Sequence, residues 1–184
     1  MNKLNGHTVH NILPAPVTEA GKIDCARTYD GSILREFYLD RKIWDIMQCD
    51  DSPDAADVDF DQLALDNSNV FLFVTASYND ELAGLFMFHV HSPHCYEIHS
   101  ALLPKFWGRS LAHLFGLEAC KWIVENTDCE KITTSVPSFN DPALHMAMEA
   151  GMTLEGNNRL SFMKDGQLYD QALLGFTKGE LLCP

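Results

Sequence analysis

The sequence predicts an α/β protein: a mixed, mostly antiparallel central sheet with helices on both faces. Three observations carry this. Apolar strand-like runs are interspersed with runs of helical spacing, in the order strand, helix, three strands, helix, strand, helix, two strands. Two dipeptides, Asn79-Asp80 and Asp165-Gly166, join neighbouring strand runs as tight hairpins. Apart from the short turn between Leu82–His91 and Tyr96–Leu103, the remaining strands are separated by helical segments long enough to cross over a sheet.

Taken in order, residues 1 to 20 lack periodicity and contain Pro14 and Pro16, so an irregular N-terminal arm is expected before a single domain over 21–184. Lys22 to Tyr29 reads as the first strand, closed by Asp30-Gly31. Ser32 to Met47 has helical spacing, with Ile33, Phe37, Ile43, Trp44 and Met47 on one face. The acidic stretch from Asp50 to Asp61 reads as a solvated loop. Its Asp57-Val58-Asp59-Phe60-Asp61 core imitates a calcium loop, but Gln62 and Ser68 stand where the glycine and the bidentate glutamate are needed. Val70–Ser77, Leu82–His91 and Tyr96–Leu103 form a meander. Ser110–Glu125 is a helix with Leu111, Phe115, Ala119, Trp122 and Ile123 on one side. Lys131–Val136 is a strand ended by Pro137. A helix follows Asp141-Pro142 and stops at Gly151, where a left-handed cap is expected. Leu154–Met163 and Gln167–Thr177 are the last two strands.

A chain of 184 residues with 46% apolar content buries a core without staples. Net charge is −13, from 13 basic and 26 acidic residues. That argues against nucleic acid and anionic membrane surfaces as partners, because both need basic faces. It is compatible with a cationic, amine-bearing substrate, and equally with plain solubility. No apolar run approaches the roughly 20 residues of a membrane span. Met1–Val17 has no apolar leader core. The six cysteines include no Cys-x-x-Cys pair and read as reduced thiols, so a cytoplasmic protein is expected. His89, His91, His94 and His99 cluster along the second and third meander strands. With no committed carboxylate or cysteine partner beyond Cys95, no metal is expected there.

The run from Tyr96 to Trp122 holds the most chemistry. A strand with Glu97 and His99 on one face leads through Pro104 into Gly108-Arg109-Ser110-Leu111-Ala112, a small-residue turn opening onto a helix. The first amides of a helix have no internal partners and lie at its positive dipole end, so a phosphate can approach them.

These segments resemble the GNAT superfamily of acetyl-coenzyme A-dependent N-acetyltransferases, over roughly residues 22–178. Trp107-Gly108-Arg109-Ser110-Leu111-Ala112, preceded by Leu102-Leu103-Pro104, is similar to the family's phosphate loop. Glu97 to Gly108 looks like the branch that acetylates ribosomal-protein N-termini. Asn140-Asp141-Pro142-Ala143 with Ala150-Gly151-Met152 and Leu154-Glu155-Gly156 resembles the family's second conserved helix. The "Glu-Ile-His" strand, Val136-Pro137 before Asn140, and Trp44-Asp45 with Asp50-Asp51 resemble phage-encoded members, which would work in the host cytoplasm. Three positions depart from the pattern: Trp107 replaces Gln or Arg, Ser110 replaces Gly, and Ala147 replaces a frequent tyrosine acid.

The resemblance implies acetyl-coenzyme A as co-substrate and transfer of its acetyl group to a primary amine by direct attack in a ternary complex. The acceptor would be a protein N-terminus, a lysine or a small polyamine. The backbone of Arg109 to Ala112 would bind pyrophosphate, with Trp107 and Gly108 beside it. Leu102 and Leu103 would pair with the pantetheine arm, and a free amide there could stabilise the oxyanion. Asn140 would hold the coenzyme or a water where two central strands part. Glu97 and His99 would be the base pair, since residues two apart share a strand face. The alternative is a GNAT-shaped binding or virion-associated protein without catalysis, and a homodimer stays open.

Overall fold

The computed structural model describes residues 2–4, 7–9, 17–18, 21–65, 70–107 and 112–183. An eight-stranded sheet runs β3 (Val17–Thr18), β4 (Gly21–Arg27), β5 (Phe71–Tyr78), β6 (Glu81–Ser92), β7 (Cys95–Leu102), β8 (Lys131–Pro137), β10 (Gln167–Thr177), β9 (Thr153–Lys164). Every pairing is antiparallel except β7 with β8. Within the stretch expected to be an irregular arm, β1 (Asn2–Leu4) and β2 (His7–Val9) also pair with each other.

Both hairpins form as their turn residues dictate. Asn79 and Asp80 lie at φ 49° and 66°, and Asp165 and Gly166 at 50° and 73°. Positive φ at both central positions is the type I′ geometry that matches strand twist.

Helices cover both faces. On one, α4 (Ala112–Asn126) lays Phe115, Ala119 and Ile123 against Val74, Phe86, Phe88 and Ile98 of the sheet. Phe86, Phe88, Phe115 and Ile123 are wholly buried. Each such side chain stabilises the fold by about 1.5–3 kcal/mol. On the other face, α1 (Gly31–Leu39), α2 (Arg41–Met47) and α3 (Phe60–Leu65) bury Leu34, Phe37, Ile43 and Phe60 against Phe73, Leu85 and Ala101.

The single helix expected over Ser32–Met47 is two. Asp40 leaves helical geometry (φ −67°, ψ 111°), and its carboxylate accepts from the amides of Lys42 at 2.9 Å and Ile43 at 3.2 Å. An aspartate in that conformation caps the next helix in place of continuing the previous one. The acidic segment is also more ordered than a solvated loop. Asp54 caps a 3₁₀ turn at Ala55–Asp57, and Asp59 accepts from Gln62 N at 2.9 Å to start α3. The calcium-like aspartates are therefore partly helix caps.

After β8, Asn140 caps α5 (Asp141–Glu149), which ends at Ala150 with Gly151 at φ +92°. An unexpected short helix, α6 (Lys178–Leu182), closes the chain through a capping box between Thr177 and Glu180. No helix among the described residues is long and apolar enough to cross a membrane.

Candidate active site

The sheet is held together weakly at its centre. β7 and β8 pair in parallel only from Cys95–Lys131 to Glu97–Thr133. Beyond that point β8 stays on β10 and β7 stays on β6, so the two strands part. Side chains of β8 reach across to β7: Thr134 Oγ1 donates to the Ile98 carbonyl at 3.0 Å, Thr133 Oγ1 to the Tyr96 carbonyl at 3.4 Å and Ser135 Oγ to Glu97 Oε1 at 2.6 Å.

A cavity of about 360 Å³ fills this gap and reaches both faces of the sheet. On the α4–α5 side it is lined by Leu117, Cys120, Ala143, Ala147 and Met152, and by Asn140 at the cap of α5. On the α2 side it meets Met47, Cys49, Ser52, Met87, His99 and Phe162. Ala143 and Ala147 leave room on the first side, and Ser52 and His99 add polar groups to an otherwise apolar wall on the second.

The structure places Glu97 and His99 on one face of β7. Both point to the α2 face of β7, and His99 lines the cavity while Glu97 stands beside it. Burial holds the His99 imidazole below its ordinary pKa, against the nearby charge of Glu97, so the ring is neutral at neutral pH. Burial pushes the Glu97 carboxyl upward. The Ser135 hydroxyl, which donates to Oε1 at 2.6 Å, outweighs it together with His99 and His91, and the net shift is downward. A neutral imidazole beside a carboxylate is a competent proton acceptor. Cys120 is wholly buried, and burial raises its thiol well above the usual range, which removes it as a nucleophile.

The other sequence-predicted positions divide. The amide of Leu103 donates to the Ala83 carbonyl at 2.9 Å, so it is engaged in the sheet and is no free oxyanion donor. The Leu102 carbonyl accepts from Trp107 Nε1 at 2.8 Å, which ties Trp107 to the end of β7. Backbone direction alternates along a strand, so Ser100 and Leu102 turn their backbone toward the gap as Ile98 does. Asn140 both caps α5, accepting from Ala143 N at 3.2 Å, and lines the cavity. Ala147 sits inside the cavity wall, 7% exposed. Gly108, Arg109, Ser110 and Leu111 lie outside the described residues, and Ala112 is the first residue of α4.

Residues that the sequence did not single out complete the walls. Met47, Cys49 and Ser52 arrive from the end of α2, Thr134 and Ser135 from β8, and Phe162 and Gln171 from the last hairpin. For Thr134 and Ser135 the local signal is polarity on an otherwise apolar strand, Ile132-Thr133-Thr134-Ser135-Val136.

The parted strands leave a cavity that joins the two faces of the sheet. A profile of the Acetyltransferase (GNAT) family matches residues 34–152, well over half of the chain. The chain belongs to this family, the acetyl-coenzyme A-dependent N-acetyltransferases. Among solved structures it is similar to a spermidine N-acetyltransferase from Vibrio cholerae in complex with CoA and spermine. The identity is 16%, over 90% of this chain and 99% of that one, with a TM-score of 0.70. RimJ from Mycobacterium smegmatis in complex with CoA-disulfide is 16% identical over 90% and 86% of the two chains, also with a TM-score of 0.70. An acetyltransferase of the GNAT family from Streptococcus pneumoniae is 16% identical over 85% and 99%, with a TM-score of 0.68. At these identities the likeness is one of fold. No curated protein matches the chain by sequence.

Proposed function

We propose that this protein transfers the acetyl group of acetyl-coenzyme A to a primary amine across the gap between β7 and β8. The observation that carries the reading is the cavity through that gap, with small residues on the α4–α5 side and His99 on the α2 side. The coenzyme supplies an activated thioester, and its thin pantetheine arm suits the wall built from Ala143 and Ala147. The acceptor enters past Met47, Cys49 and Ser52.

On this reading His99 takes the proton of the attacking amine, directly or through a water, and Glu97 steadies the imidazolium that results. Backbone amides of β7 that face the gap, at Ser100 and Leu102, stabilise the charge that develops on the thioester oxygen. Holding both reactants in one cleft supplies much of the acceleration. Gly108 to Ala112 would bind the pyrophosphate, with Trp107 and Asn140 at the margins of the coenzyme.

The acceptor is an amine that is cationic in solution, drawn by an acidic surface of net charge −13. A polyamine fits this best, as the Vibrio neighbour's complex with spermine suggests. Protein N-termini and lysines are the alternatives. Thiol release from acetyl-coenzyme A with spermidine, spermine and N-terminal peptides tests the reading. Coenzyme A at about 100 times its dissociation constant should also add about 2.7 kcal/mol of stability. Absence of both effects would favour a binding protein without catalysis, the alternative that Ala147 in place of a tyrosine supports.

A further inference from the structure

Beside the cavity, on the same face of the sheet, three metal-ligating side chains converge. His89 and His91 lie two apart on β6, and Glu97 stands directly opposite His89 in the register with β7. One ligand atom from each of the three lies within 4.8 Å of the others. His91 Nε2 is 3.0 Å from Glu97 Oε2, and the two imidazole centroids are 4.4 Å apart. Ser135 holds the other carboxylate oxygen at 2.6 Å, so Oε2 is left turned to the histidines. The Phe71 ring, 5.0 Å from that of His89, backs the first imidazole. His91 is 45% exposed, which leaves the cluster open to solvent on one side. The carboxylate missing from the histidine run in the sequence is thus supplied across the strand pair.

The geometry points to a site for one divalent transition-metal ion, of the zinc, cobalt or nickel type, held by His89, His91 and Glu97 with its remaining positions open to water. Bonds of about 2.0–2.2 Å put neighbouring ligand atoms about 3 Å apart on such an ion. His91 and Glu97 already have that spacing. His89 reaches it by a side-chain rotation of about 1–2 Å, small for a ring that does not fill a core position. Two imidazoles select this class over magnesium or calcium, which take oxygen ligands. The Ser135 hydroxyl orients the ligating carboxylate, as outer partners do in metal sites.

Binding here does not depend on the proposed acetyl transfer. Where that transfer also occurs, the ion occupies Glu97 and slows the reaction. Binding is therefore measured directly, apart from activity. The 184-residue protein stripped with EDTA is titrated with cobalt chloride, and visible absorption and equilibrium dialysis are followed, with zinc as competitor.

One equivalent of cobalt with visible bands, displaced by zinc, is expected. His89→Ala and His91→Ala should each weaken binding by about tenfold or more. Glu97→Gln, which keeps the shape of the side chain, should weaken it likewise with the circular dichroism spectrum unchanged. His94→Ala should bind as the parent does, because that ring is turned away to donate to the Asp128 carbonyl at 3.1 Å. Substoichiometric metal after dialysis would overturn the site and leave His91 and Glu97 a simple hydrogen-bonded pair. So would full-strength binding in both histidine variants.

Discussion

Ser135 on β8 donates a 2.6 Å hydrogen bond to Glu97 on β7, reaching across the strands at the point where their pairing ends. The bond fixes the carboxylate and lowers its pKa. Hydrogen bonds to charged acceptors contribute about 1.5–3 kcal/mol. Ser135→Ala should therefore lower kcat/KM by about tenfold or more and shift any acid limb due to Glu97 upward in pH. Ser135→Thr, which keeps the hydroxyl, should retain most of the activity. A parental rate in the alanine variant would show that Glu97 needs no such anchor.

His99 must be neutral to accept a proton. Burial keeps its pKa below the ordinary value, so its protonation limits the rate only below about pH 6.5. Glu97 pulls in the opposite direction, raising the imidazole pKa by its charge. Glu97→Gln should then move the acid limb to still lower pH while reducing the plateau. His99→Ala should cost about 10²–10⁴ in kcat, most for lysine-type amines that are least often neutral. Unchanged turnover of both variants between about pH 6 and 9 would remove these two residues from the chemistry.

Much of this arrangement was legible in the chain, but unevenly. The first strand β4, the β5–β7 meander, β8 and the last hairpin followed from their apolar patterning and from two dipeptides that tolerate positive φ. The break at Asp40 was hidden because Phe37 and Ile43 belong to one helical spacing whether or not the helix continues. The cavity itself could not be read. It exists because β7 and β8 pair over only three residues, a fact of long-range register. For the same reason Ser135 gave no sign that it faces Glu97, and the histidine run gave no sign of its carboxylate.

The cavity wall at Ala147 offers a separate handle on the coenzyme side. It lies seven residues after Asn140, within α5, and its methyl group leaves the space open. Ala147→Trp should fill that space and abolish the thermal shift given by coenzyme A. Overpacking should cost about 1–3 kcal/mol in the unliganded protein. A retained coenzyme shift in a folded Trp variant would move the donor away from this wall.

The α2 wall is fastened from the opposite end of the sheet. The Asp50 carboxylate accepts from the amides of Asp165 and Gly166, both at 2.8 Å, and so ties the segment after α2 to the β9–β10 turn. Lys164 Nζ adds a bond to the Gln48 carbonyl at 3.1 Å. The two turn amides lower the Asp50 pKa below its ordinary value. A carboxyl depressed by folding stabilises the fold above its unfolded pKa of about 3.9, and that contribution is lost as pH falls through the lower folded value. Asp50→Asn keeps the size of the side chain but carries no charge. The melting temperature of the parent should therefore exceed that of the variant by a constant amount above about pH 5. The difference should shrink as the pH drops below the carboxylate range. A difference that stayed constant down to about pH 2 would mean that the clamp works through shape and not through charge.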